Sequence, residues 1–394
     1  MLAPTLSFLY NAKFTGKNWF VIFVIISRYL IKEVFSALLA VTLVLLLIFL
    51  SNQLVRYLSY AASGKIAANI VLTLMGFEIP YLLALLLPLG LYLGIILAYG
   101  RLYADSEMPV LNACGLGLKR LLAITSVVTL IVAAAVAMLT LWINPIIAAQ
   151  KVKGLSQDNL IDTLQPGRFQ VIHDGRWVVY VEQISRDRKQ ANNLFIAEEK
   201  PLTNDTQAWT VVSAAQGFQE KDPTTKQSFI AARNGYRYDG APGQNAYKIV
   251  QFQKYAVRVP TTTINTTHQE QEAIPTLKLL DDYDDSASAA ELQWRLSMPI
   301  SALILMLLAV PLSRVRPRQG RYSHLLPAML IYIIYVNLLF VARNWVEQDT
   351  SAGSLLGMWW VHALLFAFAI LLLVVHASYH GWSFQWLKAA RRRA

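Results

Sequence analysis

Six uncharged apolar stretches run through this chain, and its arginines and lysines alternate between the gaps that separate them. The stretches are Val34–Val55, Ile79–Gly100, Leu121–Gln150, Leu296–Ser313, Leu325–Ala342 and Ser354–Val375. Each holds a core of about 18 residues or more, enough to cross roughly 30 Å of hydrocarbon as a helix. Lys13, Lys17, Arg28 and Lys32 precede the first span; Arg101, Lys119 and Arg120 separate the second from the third. Arg314, Arg316, Arg318 and Arg321 separate the fourth from the fifth, and Lys388, Arg391, Arg392 and Arg393 follow the sixth. The other short gaps hold only Arg56, Lys65, Arg295 and Arg343, a ratio of 15 to 4. The positive-inside rule then predicts that both termini and the 2–3 and 4–5 loops are cytoplasmic, with the long segment between spans three and four on the far side.

The charge balance follows the same division. The net charge of +11 and mean hydropathy of +0.41 describe the whole chain. Residues 151–293 carry 16 Lys/Arg against 18 Asp/Glu, while the remainder carries 19 against 6. The basic excess therefore belongs to the membrane segments, where it faces anionic lipid. A nucleic-acid partner would want it gathered on a folded domain, and none is expected. The single cysteine, Cys114, precludes an internal disulfide and reads as a small packing residue in a short loop.

Between spans three and four the pattern changes period. Span three is expected to continue as a helix to about Gln157. Phe169–His173 and Trp177–Ile184 then flank Asp174-Gly175, a hairpin signal. Asn193–Ala197, Trp209–Ala214, Ser228–Tyr238 and Tyr247–Val259 follow, separated by turn-rich segments from Pro201 to Asp205, Lys221 to Thr225 and Asp239 to Gly243. The expected fold is an α-helical membrane protein with six transmembrane helices and an inserted periplasmic all-β domain of jelly-roll type. Phe229, Tyr236, Tyr238, Tyr247, Phe252 and Tyr255 alternate with polar residues, as core packing or as an apolar groove for acyl chains. The domains read as residues 1–27, an N-terminal extension; 28–157, spans one to three; 158–265, the β domain; 266–293, a linker; 294–380, spans four to six; and 381–394, a basic tail. The extension contains an apolar run, Trp19–Ile26, too short to span: an interfacial anchor, or sequence upstream of a start near Val24.

Span two holds Pro80 and Pro88, which predict a kink, and Gly90 and Gly94, which predict a close helix contact. Asp281, Asp282, Asp284 and Asp285 lack the glycine and distal glutamate of a calcium loop and read as a solvated tether. His376 and His380 lie one turn apart without a third ligand nearby, so no metal site is expected. The chain has no GxxxxGK[ST], HExxH, CxxC or GxSxG pattern, and ATP hydrolysis by the chain itself is not expected. Glu78 begins span two and receives no role. Arg56 and Arg343 close the outer ends of spans one and five, either snorkelling outward or forming a pair of cations at the rim of a cavity.

Two cytoplasmic loops are more specific: Leu102-Tyr103-Ala104-Asp105-Ser106-Glu107-Met108-Pro109-Val110-Leu111-Asn112-Ala113-Cys114-Gly115, and Pro311-Leu312-Ser313-Arg314-Val315-Arg316-Pro317-Arg318-Gln319-Gly320-Arg321. Trp294-Arg295 precedes the second and Leu326-Pro327-Ala328-Met329-Leu330 follows it. With six spans and a β domain after the third, these resemble the LptF/LptG permease family of the lipopolysaccharide exporter. The Ala-Cys-Gly ending and the PLSxVxPRxGR pattern are nearer the LptF branch, and the resemblance covers about residues 24–380.

That resemblance implies one permease of an ABC transporter: a heterodimer with an LptG-type permease over a dimeric LptB-type ATPase, with the single helix of LptC between them. It implies that lipopolysaccharide is taken from the outer leaflet of the inner membrane of a Gram-negative bacterium toward a periplasmic bridge. ATP and magnesium would be used by the partner ATPase, and this chain would carry no cofactor. The resemblance makes Asp105–Ala113 a coupling helix, with Glu107 paired to a basic residue of the ATPase and Asp105, Met108 and Leu111 beside it. It makes Arg56 and Arg343 contacts for lipid A phosphates, with Gln53 where the family can carry a second basic residue. Residue by residue, Glu107 also reads as an ordinary acid at a helix N-terminus. Three other roles stay open: an LptG-type subunit, a membrane-anchored periplasmic scaffold, and a glycolipid enzyme using Glu78 or the acidic tether. A β domain that complemented a deletion alone would favour the scaffold. Loss of activity on replacing Glu78, Asp281 or Asp282 would favour the enzyme.

Overall fold

The structure, a computed structural model, describes residues 16–62, 66, 68–157, 164, 166–172, 176–185, 190–201, 207–221, 228–241, 243, 246–257, 271–314, 324–348 and 357–379. The chain divides into two compact units. One comprises Met1–Phe49, Ile79–Ile146 and Ile274–Ala394; the other comprises Leu50–Glu78 and Ile147–Ala273.

The helices in order are α1 (Gly16–Ala62), α2 (Val71–Ala104), the short α3 (Glu107–Ala113), α4 (Leu118–Met138), α5 (Asn144–Gln157), the short α6 (Thr276–Asp281), α7 (Ser286–Leu312), α8 (Leu325–Glu347) and α9 (Trp359–Tyr379). Among the described residues six helices are long and apolar enough to cross a membrane: Val24–Ala62, Val71–Ala104, Leu118–Val152, Ser286–Leu312, Leu325–Glu347 and Trp359–Ser378. The first is longer than expected. The Trp19–Ile26 run lies within α1 and continues into the span, because no proline or glycine separates it from Arg28 and Lys32. The fourth also begins early, at Ser286, inside the stretch read as a tether. Asp285 is its N-cap and accepts from the Ser288 backbone N–H at 3.0 Å and the Ser288 hydroxyl at 2.9 Å.

In the first unit, α1 buries one stripe, Leu30, Val34, Leu38 and Thr42, at four-residue spacing. Gly90 and Gly94 of α2 face it, and a Cβ on Gly94 would lie 2.8 Å from the Leu38 nitrogen. Side chains are excluded there, and the two backbones approach as in small-residue membrane contacts. The α2 helix is continuous through Pro80 and Pro88. The α7 helix packs against α4, α8 and α9 and, with α2, is among the most enclosed helices. Within this apolar slab several polar side chains bond to nearby backbone or to one another, since lipid offers no partner. Thr125 donates to Leu121 O at 2.8 Å, and His362 bridges Tyr335 and Ser297 at 2.8 and 2.9 Å.

Span three contains a π-helical turn, Leu139–Ile143, immediately before Asn144-Pro145. Pro145 has no N–H for the Leu141 carbonyl four residues back. That carbonyl accepts instead from the Thr276 hydroxyl of α6 at 2.6 Å.

In the second unit, Tyr57, Ala61, Ile66, Val71 and Leu74 form a small core where α1 ends and α2 begins. Its β domain is one antiparallel sheet of β1 (Gln170–Ile172), β2 (Trp177–Ile184), β3 (Gln190–Pro201), β4 (Gln207–Lys221), β5 (Ser228–Gly240) and β6 (Tyr247–Val257), paired in chain order. The predicted strands are all present, and β3 and β4 are longer than the apolar pattern indicated. The Asp174-Gly175 turn, the 202–206 and 222–227 segments, the C-terminal tail, His380 and Arg316, Arg318 and Arg321 lie outside the described residues.

A crease crosses this sheet. Inward-facing residues recur every second position, except at one line where they fall three apart on five strands. The pairs are Val181 and Ile184, Ala191 and Leu194, Ala214 and Gly217, Ala232 and Gly235, and Phe252 and Tyr255. The register aligns them across the whole width: Val181 opposite Leu194, Leu194 opposite Ala214, Ala214 opposite Gly235 and Gly235 opposite Phe252. Asn193 and Asn234 on this line have φ of 51° and 52°, the left-handed region that asparagine tolerates. One extra residue per strand at the same level flips side-chain parity on every strand together and bends the strands. A single face therefore stays inward on both sides of the line, and one core spans both. The aromatic residues divide accordingly. Phe252 and Tyr255 pack on this core, while Tyr236, Tyr238 and Tyr247 are exposed.

Candidate functional site

Two regions of the first unit and one of the second hold the residues singled out in the sequence. At the α2–α3 bend, Ser106 adopts φ 64° and turns the chain into α3. Met108 is 0% exposed and anchors this helix in the unit's own core, with Leu116 beyond it, and Leu111 packs partly against the same core. Met108 therefore does not belong to a docking face, a correction that follows from its phase on a seven-residue helix. The outward residues are Asp105, Glu107, Pro109, Val110, Asn112 and Ala113, and Val110 is 61% exposed. Sequence reasoning passed over Val110, although an exposed valine between Met108 and Leu111 is the signal that would have found it.

Glu107 is held from within the chain. The Tyr29 hydroxyl of α1 donates to its Oε2 at 2.8 Å. One helical turn along, Glu33 pairs with Arg101 at 3.1 Å. Tyr29 and Glu33 share one face of α1, so the start of span one is bonded on both sides of the α2–α3 bend.

At the other end of the same unit, Glu291 is 4% exposed in its side chain and carries a different guanidinium on each oxygen. Arg295 Nε donates to Oε1 at 2.8 Å, and Arg343 Nη2 donates to Oε2 at 2.8 Å. Arg343 also lies over the Trp294 ring at 5.0 Å. Its side chain is 14% exposed and turned toward Glu291 rather than snorkelling outward, one of the two readings its position allowed. Arg295 continues inward, donating through Nη1 to Ile274 O at 3.0 Å and Thr276 Oγ1 at 2.9 Å. The Thr140 hydroxyl donates to the Arg295 carbonyl at 3.1 Å. Glu291 was assigned to the tether because four aspartates precede it. Its spacing of four from Arg295, with Trp294 between, is the signal that marks a helix.

In the second unit, Arg56 is exposed and donates to the Gln53 side chain one turn back. Its neighbour Tyr57 turns the other way and donates to Glu78, whose Oε1 also accepts from Lys151 Nζ at 2.6 Å. Glu78, which the sequence left without a role, is thus a buried partner joining the ends of α1, α2 and α5. On the inner face of the sheet, Thr210 and Arg237 both donate to Asp239, at 2.8 Å and at 3.0 and 2.9 Å. Partial burial opposes the Arg237 charge, but the bond to Asp239 together with the attraction of Tyr255, Asp239 and Glu198 outweighs it and holds the pKa above the usual value. Among the described residues no three His, Cys, Asp or Glu side chains gather as a metal site.

Six apolar helices long enough to span, with a β domain inserted after the third, define a multi-pass membrane protein. The family model for the lipopolysaccharide export system permease LptF/LptG matches residues 28–374. The lipopolysaccharide export system permease protein LptF of Escherichia coli strain K12 is 30% identical over 354 residues, 88% of this chain and 94% of that protein. The LptF proteins of Escherichia coli O157:H7 and Shigella flexneri match to the same extent. The chain belongs to the LptF/LptG family and is a permease of lipopolysaccharide export in the inner membrane.

Proposed function

We propose that this chain is the LptF-type half of an ABC exporter. It pairs with an LptG-type permease over a dimeric LptB-type ATPase and receives LptC. The partner ATPase binds ATP and magnesium, and this chain moves lipopolysaccharide from the inner membrane toward a periplasmic bridge. Both termini and the α2–α3 bend face the cytoplasm, and the β domain is periplasmic, in keeping with the distribution of basic residues.

The observation that carries this reading is the exposed face of α3. Glu107 and Val110 project outward from a short helix whose other side, through Met108, is fixed in the permease core. An apolar knob beside a carboxylate, rigidly backed, is suited to a cleft on a partner that moves, with the charge pairing to a basic side chain. Arg56 and Arg343 supply cations at the outer ends of spans one and five for the phosphates of lipid A, where low-dielectric surroundings strengthen the attraction.

Native mass spectrometry of the full complex, purified in mild detergent through a C-terminal tag, tests the reading. A related six-span permease, two ATPase copies and a bound lipid A glycolipid are expected. A lone chain carrying only phospholipid, in several detergents, would contradict it.

A further inference from the structure

We propose that Glu291 is the positioning residue for Arg343, and that through Arg295 it ties this cation to both segments of chain that lead into the β domain. The inference rests on the reading of Arg343 as a phosphate contact and goes beyond it.

The chain of bonds is continuous. Arg343 donates to Glu291 at 2.8 Å, and Arg295 donates to the other oxygen of the same carboxylate at 2.8 Å. Arg295 donates onward to Thr276 at 2.9 Å, and Thr276 donates to the Leu141 carbonyl at 2.6 Å. Thr140 donates to the Arg295 carbonyl at 3.1 Å, and Arg295 also reaches the Ile274 carbonyl at 3.0 Å. Residues 140–141 immediately precede the chain's departure into the second unit after Ile146, and residues 274–276 are where it returns. The Pro145 interruption makes the Leu141 carbonyl a natural anchor at the first crossing.

One carboxylate serves two guanidinium groups, in a site whose members are 3%, 4% and 14% exposed in their side chains. Arg343 is the most exposed of the three and the one that an anion can reach. A guanidinium has five N–H donors in a fixed fork. Glu291 engages Nη2 and the Trp294 ring lies against the guanidinium at 5.0 Å, so these two groups hold the cation while its other donors can serve an oxyanion. Because Glu291 is shared, its hold on Arg295, and hence on the two crossing segments, depends on what Arg343 carries.

The test is a double-mutant cycle on the assembled complex, reading lipopolysaccharide retained per complex by mass spectrometry. Arg343→Ala is expected to lower retention about tenfold, the scale of one charge-assisted hydrogen bond. Glu291→Gln is expected to lower it comparably, and the double variant no further. Glu291→Asp keeps the charge but is too short to span both guanidinium groups, and is expected to behave like Glu291→Gln; it also serves where the glutamine variant fails to assemble. Equal loss from the Glu291 substitution in both backgrounds, or full retention in Glu291→Asp, would overturn the positioning role alone. Undiminished retention in Arg343→Ala would overturn the phosphate reading, and the inference with it.

Discussion

Two buried glutamates sit in different kinds of surroundings. Glu78 meets one cation, Lys151, and the Tyr57 hydroxyl. Glu291 meets two cations, one on each oxygen. A carboxylate with one cation holds helices together and asks nothing of a ligand. A carboxylate shared between two guanidinium groups orients both, and the more exposed, Arg343, is open to an anion as well. The same side-chain type is a clasp in the second unit and, on the proposal above, a positioning group in the first.

The largest effect that sharpens this contrast is expected from Glu291→Ala, which leaves Arg295 and Arg343 together without their shared anion. Loss of about 3–5 kcal/mol is expected, read as a large fall in the thermal stability of the purified complex. Added lipopolysaccharide should recover part of it. Lys151→Met comes next: it leaves Glu78 with Tyr57 alone and should cost about 1–3 kcal/mol. Lipopolysaccharide should not restore that loss, and equal rescue of both variants would erase the distinction between clasp and site. Adding Glu78→Leu to Lys151→Met should recover most of the stability, because two apolar groups replace a buried pair at little net cost. The smallest effect is expected from Lys254→Ala on the sheet surface, where the bond to Glu220 is solvent-exposed; a change below about 1 kcal/mol is expected by the same melting measurement.

Much of the fold was legible because membrane spans and strands each impose a period. Six spans followed from length and charge alone, and the helix that continues span three to Gln157 is present, with a π turn immediately before Asn144-Pro145. The crease was not legible. Asn192-Asn193, Gly217 and Asn234-Gly235 each read locally as a turn signal, and only the cross-strand register reveals that they form one line. Glu107 and Arg343 were singled out in the sequence through a motif and a resemblance. Their surroundings were not legible, because these depend on phase or on a distant partner. Met108 points inward because α3 is pinned at both ends, and Glu291 matters because Arg343 arrives from another helix 52 residues away.

Purified complex reconstituted into liposomes containing lipopolysaccharide, with ATP hydrolysis and ATP-driven release of the glycolipid followed in the same sample, tests most directly that this chain transmits force through α3. For the unaltered chain, release that depends on ATP is predicted. For Glu107→Lys, the complex should still assemble and hydrolyse ATP while release falls to the level seen without nucleotide. Release by Glu107→Lys at the unaltered rate would contradict the account.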